Sequence, residues 1–259
     1  MFECSNVYSV WDKRLVRGIK NYRRLAKTVE YKGTRDQKKN EKVFSFEDVT
    51  TDLLDCLGVK NMYPGILEAD DVVSWLAKKV DGHKVIVSVD QDMLQLVDDK
   101  TDVYSPIKDV LITKQNFEEV VGVSTGQFLR YKSLIGDKSD NLPGVERVGK
   151  KTAQKIIATC PTDDLLCEKY DEQKLEPYFN NLRMIDLTEG HRQHPEDVQL
   201  YEEQYIKLQE HQPDMNKFEQ MVTSMNMQAI TSKLHEWNQC FSPVDINRSL
   251  ENIVKNLKL

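Results

Sequence analysis

Cysteine is scarce in this chain of 259 residues: five in all, at 4, 56, 160, 167 and 240. An odd number with no Cys-x-x-Cys pair excludes a disulfide framework and a zinc–thiolate site, so free buried thiols are expected. Histidine is equally rare. Only His191 and His194 lie close together, and their polar stretch, TEGHRQHPED, places them at the surface by expectation. Long apolar runs are missing too, and nothing approaches the ~18–20 residues that cross a bilayer. The opening MFECSNVYSVWDKR has neither the apolar core nor the small-residue cleavage site of a signal peptide. A cytoplasmic protein without membrane contact is the expectation. Internal repeats and low-complexity tracts are also absent.

What is present describes a globular protein with a sizeable core. Hydrophobic residues make up 39% and charged residues 30%, and the mean hydropathy of −0.57 leans polar. Three Trp, ten Tyr and eight Phe argue against wholesale disorder. The net charge of −6 argues mildly against a nucleic-acid binder, but the average hides a segregation. Between Lys13 and Lys42 stand twelve basic residues and three acids. Such a stretch is an electrostatic footprint for phosphates, although a charge run is more often a solvated face.

Strand and helix signals alternate through the first half. Asn6–Trp11 reads as a strand. Phe46–Leu57 has helical spacing and is stopped by Gly58, and Val59–Met62 reads as a strand. Glu68–Lys79 has acids in its first turn and lysines in its last, as the helix dipole favours. Lys84–Val89 is a nearly continuous apolar run, expected to be a strand covered on both faces. Met93–Val97 starts a helix, and Val103–Tyr104 and Val110–Ile112 read as short strands. Thr113 is expected to cap a helix ending near Gly122, and Ser124 another running to Ile135. This alternation implies an α/β fold with a mainly parallel central sheet flanked by helices. From Gly136 onward a loop, a tight turn at Pro143–Gly144 and further helices follow. The expected domains are therefore 1–135 and a helical 136–259.

The acids fall in a pattern. Asp12 ends a strand; Glu68, Asp70 and Asp71 open a helix; Asp90 and Asp92 follow a strand at spacing two; Asp137 and Asp140 share a Gly-Asp-x-Ser-Asp loop. In a parallel sheet, strand ends and the helix starts after them meet along one edge, so eight carboxylates are expected to converge. Two carboxylates ~4 Å apart repel by about 4 kcal/mol at an effective dielectric of 20. Protonation relieves one pair, not eight groups. Divalent cations relieve all of them, and hard oxygen donors select Mg²⁺ or Mn²⁺. Two such ions ~3.5–4 Å apart form a phosphodiester hydrolase centre. Taken singly, each acid reads as a cap or a turn residue.

The string Asn141-Leu-Pro-Gly-Val-Glu-Arg-Val-Gly-Lys-Lys-Thr-Ala153 is a second signal. Gly149 lets a phosphate approach the start of a helix at Lys150, where free N–H groups bind it and Lys150 and Lys151 add charge. Such a contact reads backbone, not bases.

At these residues the chain resembles the 5′ nuclease (flap endonuclease) family, close to phage and bacterial 5′→3′ exonucleases. The matching strings are Glu68-Ala-Asp-Asp71, Ser88-Val-Asp-Gln-Asp-Met-Leu-Gln95 and Gly136–Ala153, with Arg24 and Glu30-Tyr-Lys-Gly-Thr-Arg35 at the family's spacing. The resemblance implies a PIN-like nuclease core with a helical C-terminal DNA-binding subdomain. It implies a first-metal cluster of Asp12, Glu68, Asp70, Asp71 and Asp90, and a second of Asp92, Asp137 and Asp140, with Asp90 near both. Lys32 and Arg35 match basic residues that engage the scissile phosphate beneath an arch formed by about 13–42, and Arg24 matches another arch position. Gly144, Gly149, Lys150, Lys151 and Thr152 match the family's element that grips duplex DNA. A K⁺ ion in that turn would use Ser139.

The implied activity is Mg²⁺-dependent hydrolysis at 5′ ends, flaps or RNA primers, acting on DNA or RNA/DNA hybrid in replication and repair. A single-strand-binding protein or clamp is an implied partner, and a phage origin would place the enzyme in a host cytoplasm. The family's opening strand with its Asp-Gly-x-Asn-like string has no counterpart before Val7, so the first metal is expected to be weaker in this chain alone. Another chain could supply that strand, the start could lie upstream, or the protein could be a branched-DNA binder with weakened catalysis. A related ribonuclease would have no use for the Asn141–Ala153 element.

Overall fold

The computed structural model describes residues 4–12 and 46–241. The basic segment 13–42, with Arg24, Lys32 and Arg35, lies outside the described residues. The chain divides into two units; of the described residues, one holds 4–9, 46–62 and 204–241, and the other 10–12 and 63–203. Labels below number the described elements in chain order.

In the first unit, strand β1 (Tyr8–Val10) pairs with β2 (Lys60–Met62). Helix α1 (Glu47–Cys56) precedes β2, and Gly58 makes the left-handed turn between them at φ +75°. Cys56, Leu57 and Val59 are buried against Phe218 and Val222 of helix α10 (Met215–Ser224). Trp237 and Phe241 of α12 (Leu234–Phe241) pack on the same cluster, after the short α11 (Gln228–Thr231). The helical periodicity from Phe218 to Trp237 is thus split over three helices.

The larger unit holds the three-stranded sheet β3 (Lys84–Val87), β4 (Thr101–Ser105) and β5 (Val110–Ile112). The β3–β4 pair is parallel and β4–β5 antiparallel. Helix α2 (Ala69–Lys79) precedes β3, burying Val72, Trp75 and Leu76 at helical spacing. A 3₁₀ turn, Gln91–Leu96, follows β3 and inserts Met93 and Leu94 into the core. Two helices, α3 (Phe117–Val121) and α4 (Phe128–Ile135), lead to a small hairpin, β6 (Gly136–Asp137) with β7 (Leu142–Pro143). Helices α5 (Lys150–Thr159), α6 (Asp163–Lys169), α7 (Glu172–Ile185) and α8 (Glu189–Gln193) complete the unit, with the start of α9 (Pro195–Leu208). One core joins Phe117, Phe128, Leu134, Ile157, Leu166, Leu175 and Tyr178. The expected α/β architecture with a helical C-terminal part is the observed one.

Several local expectations need correction. The Lys84–Val89 run is not covered on both faces: Val87 and Val89 are 61% and 62% exposed. Among the described residues β3 is the end strand of its sheet, so part of its apolar surface has no neighbour. Thr113 does not cap α3; Asn116 occupies that position, its Oδ1 accepting the Thr113 N–H at 2.8 Å. Ser124 opens a 3₁₀ turn, Thr125–Gln127, before α4 begins. Pro143 belongs to a strand, not to a free turn. Cys4, Cys167 and Cys240 are exposed, and only Cys56 and Cys160 are buried. His191 is no simple surface residue: its Nε2 lies 2.8 Å from the Asp71 carbonyl and its ring packs edge-on to Tyr201.

Candidate metal centre and nucleic-acid interface

The acids at the start of α2 are fixed by a capping box. Glu68 is the N-cap, with its side chain on the backbone of Asp71; the Asp71 carboxylate in return accepts the Glu68 N–H at 2.9 Å. Both are buried, at 6% and 0% exposure, while Asp70 is half-buried in the same turn. Asp12 joins this group: its Oδ1 accepts the Ala69 N–H at 2.9 Å. Four carboxylates therefore gather about one helix N-terminus, where backbone N–H groups and the dipole favour negative charge.

A second group forms after β3. Asp90 caps the 3₁₀ turn, its Oδ1 accepting the Asp92 N–H at 2.8 Å. Gln95 fastens this turn to the end of α7, donating to the Ile185 carbonyl at 3.0 Å and accepting the Leu187 N–H at 3.1 Å. The Asp92 side chain faces Lys132 of α4, whose ammonium lies 3.1 Å from Asp92 Oδ1 and 2.6 Å from Asp137 Oδ2. Asp137 Oδ1 also accepts the Ser139 N–H and hydroxyl, at 2.7 and 2.6 Å, and the Asp140 N–H at 3.3 Å. Asp140 is buried.

The two carboxyls beside Lys132 titrate in opposite directions. Burial pushes Asp92 up to about 6, against the pull of Lys132 and with added repulsion from Asp90 and Asp137. Burial also disfavours the Asp137 charge, but hydrogen bonds from Lys132 and Ser139 outweigh it and hold that carboxyl below the usual range. Burial likewise opposes the Lys132 charge, and attraction to Asp92 and Asp137 overcomes it. Asp92 Oδ1 is buried and meets the Lys132 ammonium as an ion pair.

Sequence reading missed Lys132. It stands four residues after Phe128, on the face of α4 that also buries Tyr131 and Leu134. A lone lysine on an apolar stripe is the signal that was available. Among the described residues, no three of His, Cys, Asp and Glu are gathered closely enough to hold one ion as they stand. The donor chemistry nevertheless fits a hard divalent cation: every candidate ligand is a carboxylate, and Asp92 and Asp137 share one ammonium between them.

The Asn141–Ala153 string begins in the β6–β7 hairpin. At Gly144 a Cβ would overlap the Ile135 carbonyl, and at Gly136 it would overlap Gly144 and Leu142 backbone; Gly136 also has φ +71°. Asn181 of α7 ties the hairpin down, donating to the Ser133 and Pro143 carbonyls at 3.0 and 2.8 Å. Asn141 and Arg147 adopt left-handed backbone at φ 60° and 62°. Gly149 is the N-cap of α5, exposed, with open space where a Cβ would stand. Lys150, Lys151 and Thr152 are exposed in the first turn, and Ala153, Ile156 and Ile157 anchor the opposite face.

Two family models match in succession. One, described as "5'-3' exonuclease, N-terminal resolvase-like domain", matches residues 3–122, and one described as "5'-3' exonuclease, C-terminal SAM fold" matches 123–258. A 5'-3' exonuclease of Aquifex aeolicus is 33% identical over 175 residues, covering 64% of this chain and 58% of that protein. One of Halalkalibacterium halodurans is 34% identical over 182 residues, covering 68% and 57%. The chain thus spans less than two thirds of these relatives. A thermostable DNA polymerase I of Thermus thermophilus is 34% identical over 160 residues, 58% of this chain and 19% of the polymerase. Among solved structures, the bacteriophage T5 D15 flap endonuclease in a pseudo-enzyme–product complex with DNA and metal ions shares the fold. Its TM-score is 0.65 at 21% identity, over 79% of this chain and 83% of that one.

Proposed function

Since the chain belongs to the 5'-3' exonuclease family, we propose that it is a divalent-metal-dependent, structure-specific 5′ nuclease. It cuts phosphodiesters near 5′ ends, flaps or RNA primers in DNA replication and repair. The observation that carries the reading is that two carboxylates, Asp92 and Asp137, share the single ammonium of Lys132, which leaves one negative charge unmatched. When both carboxylates are ionised, the excess charge in so poorly hydrated a place calls for a further cation.

In this reading Asp12, Glu68, Asp70, Asp71 and Asp90 would hold one Mg²⁺ and Asp92, Asp137 and Asp140 a second, with Mn²⁺ as substitute. Bound there, the ions would activate a water and stabilise the departing oxygen. The protein's own part is positioning. The capping box fixes the α2 acids, and Gln95 fixes the 3₁₀ turn that carries Asp92. Lys132 keeps the second group from repelling itself apart. The open N–H groups of α5, with Gly149, Lys150, Lys151 and Thr152, grip a duplex backbone through phosphates, Gly144 setting the turn behind them. Lys32, Arg35 and Arg24 engage the scissile strand. A K⁺ ion bound by carbonyls of the turn and Ser139 would use the lone pairs of the Ser139 hydroxyl, whose hydrogen goes to Asp137.

A second reading is a branched-DNA binder with weakened catalysis. It is favoured by Lys132, which already supplies a cation between Asp92 and Asp137. Cleavage of a labelled 5′-flap substrate at millimolar Mg²⁺ separates the two. Asp90→Ala should abolish cleavage while sparing or tightening DNA binding; normal cleavage by that variant refutes the site. Lys32→Ala should lower the single-turnover rate more than the affinity. Tight binding by the wild-type chain with no cleavage establishes the second reading.

A further inference from the structure

The acid-bearing turn of α2 is braced by a carboxylate outside both acid groups. Asp197, in the first turn of α9, is 3% exposed. It accepts the N–H groups of Gly65 at 2.9 Å, Ile66 at 3.1 Å and Leu67 at 2.9 Å, and the Tyr201 hydroxyl at 3.1 Å. Three successive backbone donors and a hydroxyl satisfy this anion without a cation, in contrast to Asp92. The Asp197 contact leaves no space at Gly65, where a Cβ would overlap the carboxylate.

Leu67 leads directly into Glu68, the N-cap of α2. The same C-terminal helices touch α2 twice more. His191 Nε2 meets the Asp71 carbonyl at 2.8 Å, and the Tyr201 ring meets Trp75 edge-on at 5.9 Å. We infer that Asp197 is a positioning residue for Glu68, Asp70 and Asp71, fixing the backbone from which they project and thereby the affinity of that group for a divalent ion. The inference rests on the reading that these acids hold an ion. Sequence offered no sign of it, since Asp197 lies among other polar residues after Pro195.

The test uses the full chain, with Mn²⁺ binding followed by electron paramagnetic resonance and 5′-flap cleavage followed across a Mg²⁺ titration. Asp197→Asn keeps the size but turns an amide toward the loop's donors. Mn²⁺ affinity should fall about tenfold, a change of about 1.4 kcal/mol. The Mg²⁺ needed for half-maximal cleavage should rise in step, with KM for DNA unchanged and the rate recovering at high Mg²⁺. Gly65→Ala attacks the same contact from the loop side, and carries the test should Asp197→Asn fail to fold. Phe218→Leu, in the core of the other unit, controls for lost stability and should leave Mn²⁺ affinity unaltered. Wild-type Mn²⁺ affinity in the Asp197 and Gly65 variants overturns the inference, as does an equal loss in Phe218→Leu. A wild-type chain that neither binds Mn²⁺ nor cleaves overturns the proposed function itself, and this inference with it.

Discussion

The Lys132 ammonium stands between two carboxylates, 2.6 Å from Asp137 Oδ2 and 3.1 Å from Asp92 Oδ1, with its side chain only 6% exposed. One positive charge thus faces two negative ones in a poorly hydrated place. The negative charge is held first by Asp137, and a proton goes first to Asp92, the more buried and the less hydrogen-bonded of the pair. A divalent cation there would complete the balance that a single lysine leaves unfinished.

Replacing Lys132 by Met should therefore expose the repulsion. Removing one partner of a buried ion pair costs about 3 kcal/mol. In buffer with chelator the variant should melt well below wild type. Added Mn²⁺ should recover more melting temperature in the variant than in wild type, since the ion then has no competing ammonium. Differential scanning fluorimetry with and without Mn²⁺ reads both effects, and an equal Mn²⁺ response in the two proteins refutes the competition.

Asp92 makes stability depend on pH in a defined window. Its folded carboxyl is raised from 3.8 to about 6. A raised acid favours the folded state below its unfolded pKa, and that contribution is lost as pH climbs through the folded value. The loss should run from about pH 4 to about pH 7 and reach about 3 kcal/mol without metal. Asp137 is lowered, so its contribution is lost only below about pH 4. Lys132 is raised, so its contribution is lost only at strongly alkaline pH. Urea melts of Asp92→Asn beside wild type, at steps through this window, should show the acid-side slope of the wild type flattened in the variant.

The parts of this molecule visible in its sequence are those with local causes. Glu68, Asp71 and the lysines of α2 follow capping and dipole rules, and the observed helix starts one residue from the expected one. Gly149 and Lys150 likewise mark the start of α5. What was not visible depends on distant partners. Lys132 meets Asp92 forty residues away, and Asp197 meets Gly65 across 132. The exposure of Val87 and Val89 was hidden for the same reason: an apolar run reports the strand, not which strands lie beside it. The acids were legible as groups at one helix start and one loop, while their expected gathering around common ions depends on side-chain placement that spacing does not fix.

Gly144 should tolerate no side chain. A Cβ there would overlap the Ile135 carbonyl, backbone against backbone, so no flexible group can give way. Gly144→Ala should cost at least about 2 kcal/mol in urea unfolding. It should also weaken duplex binding severalfold, because the turn that carries Gly149 and Lys150 is displaced. Gly126→Ala is the contrast: open space surrounds that position, and neither stability nor binding should change by more than about 0.5 kcal/mol.

Lys150 and Lys151 test whether the α5 terminus reads phosphates or bases. Both are exposed at the open end of a helix, where N–H groups and ammoniums present the same sign of charge to a ligand. Each lysine that neutralises one phosphate contributes about one counterion to the salt dependence of binding. Lys150→Ala and Lys151→Ala should each flatten the slope of log affinity against log salt by about one, and the double variant by about two. Fluorescence anisotropy on two duplexes of unrelated sequence should give the same change, since a contact to backbone carries no sequence information. A loss confined to one duplex would mean that these lysines touch base edges, and the helix start would then be a reader of sequence instead of a grip on the strand.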